Sequence, residues 1–287
     1  MDRSTELRAF FARYVTAKAG ARDPRIQAAF AAVPKEDFVG PPPWHIFAPG
    51  PWWTKDSGTS YVETPSGDPA YLYQDVLVAL DPARGINIGE PSLHALCLDS
   101  LGVEPGDTVI QVGAGSGYYS ALLAHLTGST GHVHAFEIDP DMASRATHNL
   151  VPWTWVTVEV RSGAAAGLPA ADAIYVNAGL PQPSLHWLEA LKPGGRLIFP
   201  LQAERSFGGM LRIEKPRHGR TAWPARFISR AGFIPCQGQQ SETTGRRLAA
   251  AFAAGDWESV RSIHLNDDPG DTCWFDGGGW WLSTAEP

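Results

Sequence analysis

The run VIQVGAGSGYYSALLA, residues 109–124, constrains this chain more than any other stretch. An apolar segment short enough for a buried strand runs into Gly113, Gly115 and Gly117, and the residues after them have the composition of a helix. Glycines at alternate positions let the chain turn sharply and let a ligand approach the backbone with no Cβ in the way. The surrounding pattern repeats the alternation. PSLHALCLDSL reads as a helix, DTVIQV as a strand and YYSALLAHL as a helix, and GHVHAFEI is a second strand. Asp139-Pro140 supplies an N-cap and first-turn pair for the next helix. WVTVEV and DAIYVNA are further strands, PSLHWLEAL a helix, KPGG a turn and RLIFPL a fifth strand. Strand and helix in alternation predict an α/β fold, a doubly wound and mostly parallel sheet with helices on both faces.

The flanks differ. Leu7, Phe10, Phe11 and Tyr14 recur at helical spacing, so residues 4–19 are expected to be an amphipathic helix stopped by Gly20. Asp23-Pro24 opens a second helix, which VPKEDF ends. Residues 40–69 are rich in proline and glycine and read as a long loop, of the kind that forms lids. After residue 205 the rhythm changes to antiparallel strands (GMLRIEK, ARFISRAGFIPC), a helix (GRRLAAAFAAG) and a tail, CWFDGGGWWLS. The expected organisation is residues 1–80 as N-terminal helices and lid, 81–215 as the ligand-binding core, and 216–287 as an extension of the same domain.

Charge and composition exclude several classes. The formal net charge of -7 argues against general nucleic-acid binding, and EKPRHGR at 214–220 is a short solvated turn rather than a basic stripe. Neither a secretory leader nor an apolar membrane span is visible. Cys97, Cys236 and Cys273 are an odd number, far apart, and fit reduced thiols in a cytoplasmic protein. His132 and His134 alternate on one strand with no third ligand at metal spacing, so no metal site is expected. Of eleven tryptophans eight crowd the two ends, among them Trp52 and Trp53, and mark aromatic surface for a peptide, a small molecule or a second copy of the chain; the oligomeric state is left open.

Two details sharpen the glycine turn. A dinucleotide fingerprint needs glycine at position 118, where this chain has Tyr118, and no Y-x-x-x-K dyad accompanies it. The second strand ends in Glu137, twenty residues after Gly117, where a carboxylate can accept both hydroxyls of a ribose. GxGxG with that acid fits S-adenosylmethionine better than NAD. With VPKEDFV (33–39), PSLHA, VGAGSGYYSALLA, GHVHAFEID and LKPGGRLIFPL (191–201), the chain resembles the protein-L-isoaspartate O-methyltransferases over more than half its length. The resemblance implies a Rossmann-like class I methyltransferase fold binding S-adenosyl-L-methionine. It places Gly113, Ala114, Gly115, Gly117 and Tyr118 on the methionine side, Glu137 and Ile138 at the ribose, and Ser162 and Gly163 toward the adenine.

The chain departs from that family at three places. Where the family reads G-x-T-I-S-x-P, this chain reads Gly85-Ile86-Asn87-Ile88-Gly89-Glu90-Pro91, so threonine becomes Asn87 and the serine associated with the reacting carboxylate becomes Gly89. The adenine-holding aspartate of the family's G-D-G becomes Ser162, a neutral acceptor. The tryptophan-rich ends are additions. Asn87, Gly89, Glu90, His94 and Asn177 are the candidate reaction-site residues. Glu90 either faces the methyl group, favouring an amine or hydroxyl acceptor, or faces outward as a helix N-terminal acid. His94 is either a reaction-site residue or a structural one. The expected function is methyl transfer to a carboxylate or other acceptor; the rival is a non-catalytic cofactor-binding module.

Overall fold

Aspartates preceding helices set the frame of the computed structural model, which describes residues 2–48, 60–204, 206–219, 221–237 and 241–287. Asp2 caps α1 (Arg3–Ala19) by accepting from the Thr5 N–H at 3.0 Å, and Gly20 ends it at φ 63°. Asp23 accepts from Arg25 N–H at 2.8 Å to open α2 (Pro24–Ala32). The described residues fall into two units, 1–105 with 114–160 and 106–113 with 161–287.

In the first unit α1 packs against α2 and against α4 (Pro91–Leu101), burying Phe11, Val15, Ile26, Phe30 and Leu98. VPKEDF does end α2, and then adds a single turn of its own, α3 (Glu36–Val39). The 40–69 stretch, expected to be a loop, contains a hairpin. Strand β1 (His45–Ala48) pairs antiparallel with β2 (Ser60–Glu63), with Phe47 opposite Tyr61. Ile46 bridges Val78, and the Phe47 N–H donates to Leu77 O at 2.9 Å, so the hairpin lies beside β3 (Ala79–Asp81). In turn β3 pairs with β4 (Ile86–Asn87), Ala79 opposite Asn87. Trp44 is buried and its indole donates to Gly40 O at 2.9 Å; Trp52 and Trp53 lie outside the described residues.

The second unit holds β5 (Thr108–Val112), which precedes the glycine turn. After that turn the chain returns to the first unit as α5 (Tyr118–Thr127), β6 (His132–Glu137), α6 (Pro140–Asn149) and β7 (Val156–Val160), with β6 and β7 parallel. That pairing brings Glu159 to 3.7 Å from His134 Nδ1, a carboxylate that the spacing in sequence did not reveal. Among the described residues no group of three such side chains can hold a metal ion.

The rest of the second unit is β8 (Ala171–Val176), α7 (Leu185–Ala190), β9 (Leu191–Leu201), β10 (Gly208–Glu214), β11 (Ala222–Ala231), α8 (Glu242–Ala254), β12 (Ser262–Leu265), β13 (Cys273–Asp276) and β14 (Trp280–Ser283). Its strands run in the order β5-β8-β9-β10-β11-β12-β14-β13, parallel from β5 to β9 and antiparallel beyond. The expected KPGG turn is part of β9, because a register shift between Ala171 and Ala173 accommodates the extra residues. Of the tail tryptophans Trp280 and Trp281 are buried, and Trp274 is half-buried in an aromatic cluster. Phe227, Phe252, Trp257 and Trp274 meet edge to face or tilted at 5.3–6.5 Å, and Trp281 stacks on His264 at 3.9 Å. Rings packed this way bury apolar area and add quadrupole attraction, so these indoles are spent on folding.

Lys35 is the most deeply buried ammonium group among the described residues of the first unit. It is fully enclosed, its Nζ donates to Leu72 O at 3.2 Å, and it sits 5.5 Å from the Phe11 ring centroid. Burial lowers its pKa to about 7, with the Asp75 charge opposing. Between that value and its ordinary 10.5 the unfolded chain carries a proton that the folded chain has released. Stability is therefore predicted to rise with pH through this window, by up to about 1.4 kcal/mol per unit for one group. Denaturant melts at pH 6, 7.5 and 9 check this: Lys35→Met should flatten the Lys35 part of the slope and be the more stable form at pH 6.

Candidate functional site

Glu137, the last residue of β6, organises the glycine turn. Its Oε2 accepts the Gly115 N–H at 2.7 Å, and its Oε1 accepts the Asp139 N–H at 2.9 Å. The Ala114 N–H donates to Phe136 O at 3.1 Å, so the turn is stitched to the end of β6 by two bonds. Gly115 has φ 55° and Gly117 φ 93°; a Cβ on Gly117 would meet Leu150 Cδ1 at 2.9 Å, which only glycine avoids. Ser116 Oγ is buried with no hydrogen-bond partner among the described residues, an orphan inside the turn. Each Glu137 oxygen keeps a second lone pair for a further donor. Bare backbone, a carboxylate with capacity left and an orphaned hydroxyl suit a ligand carrying ribose hydroxyls and an ammonium-bearing tail. The residues present fit S-adenosylmethionine.

The segment expected at the reaction lies in the same unit. Asn87 Oδ1 accepts the Gly89 N–H at 2.9 Å, and Asn87 Nδ2 donates to Gly85 O at 3.2 Å, so the side chain folds back on its own loop. Gly89 is left-handed at φ 80°, and a Cβ there would stand 2.2 Å from His94 Nε2. The His94 ring is 2% exposed and lies flat on Tyr119, centroids 3.6 Å apart. Burial, reinforced by the Lys35 charge, lowers its pKa to about 3, so the imidazole is neutral at ordinary pH. Tyr119 is the second helical residue after Gly117. His94 thus ties the 85–90 loop to the start of α5, directly behind the glycine turn. At Gly115 a Cβ would lie 3.6 Å from Leu80 of β3, a second point of approach.

Glu90 turns outward. Its Oε1 lies 3.3 Å from Lys18 Nζ and accepts from Ser92 Oγ at 3.3 Å. Asp75 completes this group, 2.6 Å from Lys18 Nζ and accepting the Ser92 N–H at 2.8 Å. Burial raises the Asp75 pKa, yet the hydrogen bonds from Lys18 and Ser92 hold it below the ordinary carboxylate value. Arg84 pairs with Asp81 and with Asp139, clamping the β3–β4 turn to the cap of α6.

Other expected residues are placed as follows. The Tyr118 side chain, expected beside the cofactor, is instead core: 1% exposed, edge to face with Phe38 at 5.5 Å and Phe30 at 6.4 Å. Ile138 is 44% exposed next to Glu137. In the second unit the Asn177 N–H donates to Val112 O at 2.8 Å, and its Oδ1 is buried without a partner among the described residues. Gly113, at φ 77°, faces the Asn177 backbone across 3.5 Å. Ser162 Oγ accepts the Ala164 N–H at 3.3 Å, while Gly163 O accepts the Trp187 indole N–H at 2.8 Å. The residue motifs alone missed Tyr119, Arg84 and Asp75. Tyr119 was visible as the second ring of a YY pair in the motif, whereas nothing local marks the other two.

The His94–Gly89 contact generates a sharp expectation. Gly89→Ala adds a left-handed Cβ and a steric overlap, and should destabilise the fold by about 2–4 kcal/mol in thermal or urea melts. Combining it with His94→Ala removes the overlap, so the double variant should lose less than the two single losses summed.

Comparison with known proteins agrees with this reading. Residues 60–240 match the profile of the family described as Protein-L-isoaspartate(D-aspartate) O-methyltransferase. A protein-L-isoaspartate O-methyltransferase of Rhodopseudomonas palustris is 31% identical over 235 residues, spanning 79% of this chain and 93% of that one. One from Ignicoccus hospitalis is 34% identical over 151 residues, 51% of this chain and 71% of that one. Among solved structures, a protein-L-isoaspartate O-methyltransferase superposes with TM-score 0.65 at 21% identity, covering 85% of this chain and 69% of its own. A Plasmodium falciparum protein described as a candidate enzyme of the same kind, in complex with S-adenosyl-L-homocysteine, gives 0.60 at 17% identity, covering 80% and 98%. The fold is therefore the Rossmann-like class I methyltransferase fold, with parallel central strands and antiparallel C-terminal ones. A glycine turn held by Glu137, an adjoining loop closed on His94 and these matches lead to one conclusion: this chain belongs to the protein-L-isoaspartate(D-aspartate) O-methyltransferase family, whose members are S-adenosylmethionine-dependent methyltransferases.

Proposed function

We propose that this chain methylates the side-chain carboxylate of an isoaspartyl residue in a peptide or damaged protein, with the 85–90 loop as the acceptor's resting place. The observation that carries this is the His94–Tyr119 stack, which fixes that loop against the start of α5. Glu137, Gly115 and Gly117 would hold the cofactor, the carboxylate taking the ribose hydroxyls and the bare backbone admitting the tail. S-adenosylmethionine, when bound, supplies a methyl group on a positively charged sulfur.

A carboxylate acceptor is already anionic, so the chain need provide no general base. Proximity and alignment supply most of the effect, and the residues beside Gly89 have only to place one oxygen. The geometry suits that modest demand. His94 is neutral, enclosed and unsuited to taking a proton, and Glu90 is engaged with Lys18 on the outside, so its charge is partly compensated rather than opposed to an incoming carboxylate. The free thiols of Cys97, Cys236 and Cys273 support a cytoplasmic setting. Among the described residues no helix is long and apolar enough to cross a membrane.

The test is transfer of labelled methyl from S-adenosylmethionine to an isoaspartyl peptide and to its aspartyl twin. Base-labile label on the isoaspartyl peptide alone is the expected result; no label, with cofactor binding intact, would overturn the proposal. Glu137→Ala should weaken S-adenosylmethionine binding by roughly 10- to 100-fold, since it removes hydrogen bonds to a charged acceptor. Isothermal titration measures that directly.

A further inference from the structure

Two carboxylates stand where the 85–90 loop passes into α4. Glu90 immediately precedes the helix, and Asp75, upstream of β3, caps the same end by accepting the Ser92 N–H at 2.8 Å. Acids are favoured at a helix N-terminus. An anionic acceptor resting on the loop would nevertheless meet both charges. Among the described residues Lys18 bonds to the two of them. Carried there on α1, its Nζ donates to Asp75 Oδ2 at 2.6 Å and to Glu90 Oε1 at 3.3 Å. Ser92 Oγ closes the ring by donating to the same Glu90 oxygen at 3.3 Å. The Asp75 side chain is 4% exposed, whereas those of Lys18 and Glu90 are 47% and 46% exposed. The ammonium is thus anchored by a buried anion and still reaches solvent. An exposed pair such as Lys18 with Glu90 adds little stability. Its charge acts chiefly on what approaches the loop. Helix α1 precedes residues 60–240, the part that matches the family profile, while Asp75 and Glu90 lie inside that match.

We propose that Lys18 is a specificity-determining residue of this chain, its ammonium offsetting Asp75 and Glu90 so that an anionic acceptor can occupy the 85–90 loop. This deepens the isoaspartyl reading given above and rests on it. The acceptor enters as a carboxylate and leaves as a neutral ester. Its oxygen forms the bond to the methyl carbon as the carbon–sulfur bond breaks, the electron pair of that bond staying on sulfur. The negative charge on the acceptor is therefore partly gone in the transition state. Uncompensated carboxylates beside the loop oppose the bound acceptor more than they oppose that state, so they weaken binding without slowing the transfer. Lys18 accordingly governs which acceptors bind, and its signature is a change in KM that kcat does not share.

The experiment compares the full-length wild type with Lys18→Arg, Lys18→Met, Glu90→Gln and the double variant Lys18→Met with Glu90→Gln. It reads kcat and KM for the isoaspartyl peptide at low and high salt, affinity for S-adenosylhomocysteine and melting temperature. Lys18→Met should raise KM about fivefold at low salt, with kcat no lower than wild type, and the rise should shrink as salt screens the two carboxylates. Lys18→Arg keeps the charge and should keep the wild-type KM. In the double variant most of the loss should be recovered, because one of the opposing charges has gone. Glu90→Gln alone should lower KM below wild type, which reads the same repulsion even if Lys18→Met does not fold. S-adenosylhomocysteine affinity should be unchanged in every folded variant. A wild-type KM in folded Lys18→Met, or a KM in Glu90→Gln no lower than wild type, would overturn the inference and leave the isoaspartyl reading standing. A fall in kcat that the double variant does not restore would also overturn it, by making Lys18 a merely structural residue. A wild type that binds S-adenosylhomocysteine and methylates no isoaspartyl peptide would overturn both readings, and is recognised by its inactivity before any substitution.

Discussion

The carboxylate of Glu137 is the interaction on which the site depends. A glycine turn offers unpaired N–H groups and little else to define its shape, and without a partner it would sample many conformations. Glu137 resolves this with one oxygen on Gly115 N–H and the other on Asp139 N–H. Asp139 then caps α6 by accepting from the Asp141 and Met142 N–H groups, and it pairs with Arg84 across the β3–β4 turn. One side chain therefore sets the glycine turn, the start of α6 and, through Arg84, the strand pair that carries Asn87. Such charge-assisted bonds to backbone are about twice as strong as neutral ones, enough to hold a turn that has no side chains to pack.

The second constraint is steric. His94 and Gly89 share one space, and the ring has taken it. The stack on Tyr119 and the enclosure of His94 hold the imidazole where a larger residue at position 89 would have to stand. The loop keeps its shape through the Asn87 side chain and through the left-handed glycine.

Much of this was legible in the sequence, for physical reasons that can be named. The strand–turn–helix around Gly113, Gly115 and Gly117 declared itself because buried parallel strands are short apolar runs and positive φ needs glycine. Asp23-Pro24 and Asp139-Pro140 marked helix starts through a local bond that any reading can anticipate. The hairpin at 45–48 and 60–63 was hidden. Its strands are four residues long, proline and glycine dominate their surroundings, and the pairing that stabilises them lies between distant segments. KPGG read as a turn because its composition says so, yet sheet pairing with a register shift overrode it. The tryptophans of the tail suggested a binding surface, and the structure packs Trp274 against Phe227 and Phe252 while burying Trp280 and Trp281. At the candidate site, spacing singled out Glu137, whose carboxylate the fold sets on the glycine turn. The contacts of Asp75 and Arg84 needed the fold, since each meets a residue far along the chain.

The central claim is that the glycine turn and the 85–90 loop, proposed to hold the acceptor, form one preorganised piece, joined by Glu137 on one side and the His94–Tyr119 stack on the other. A crystal structure of the wild-type chain with S-adenosylhomocysteine tests it most directly. The account predicts the Glu137 carboxylate on the ribose hydroxyls with its bond to Gly115 N–H retained, and the His94 ring still stacked on Tyr119 beneath Gly89. A ribose bound away from Glu137, or a His94 ring swung out with space open at position 89, would contradict it.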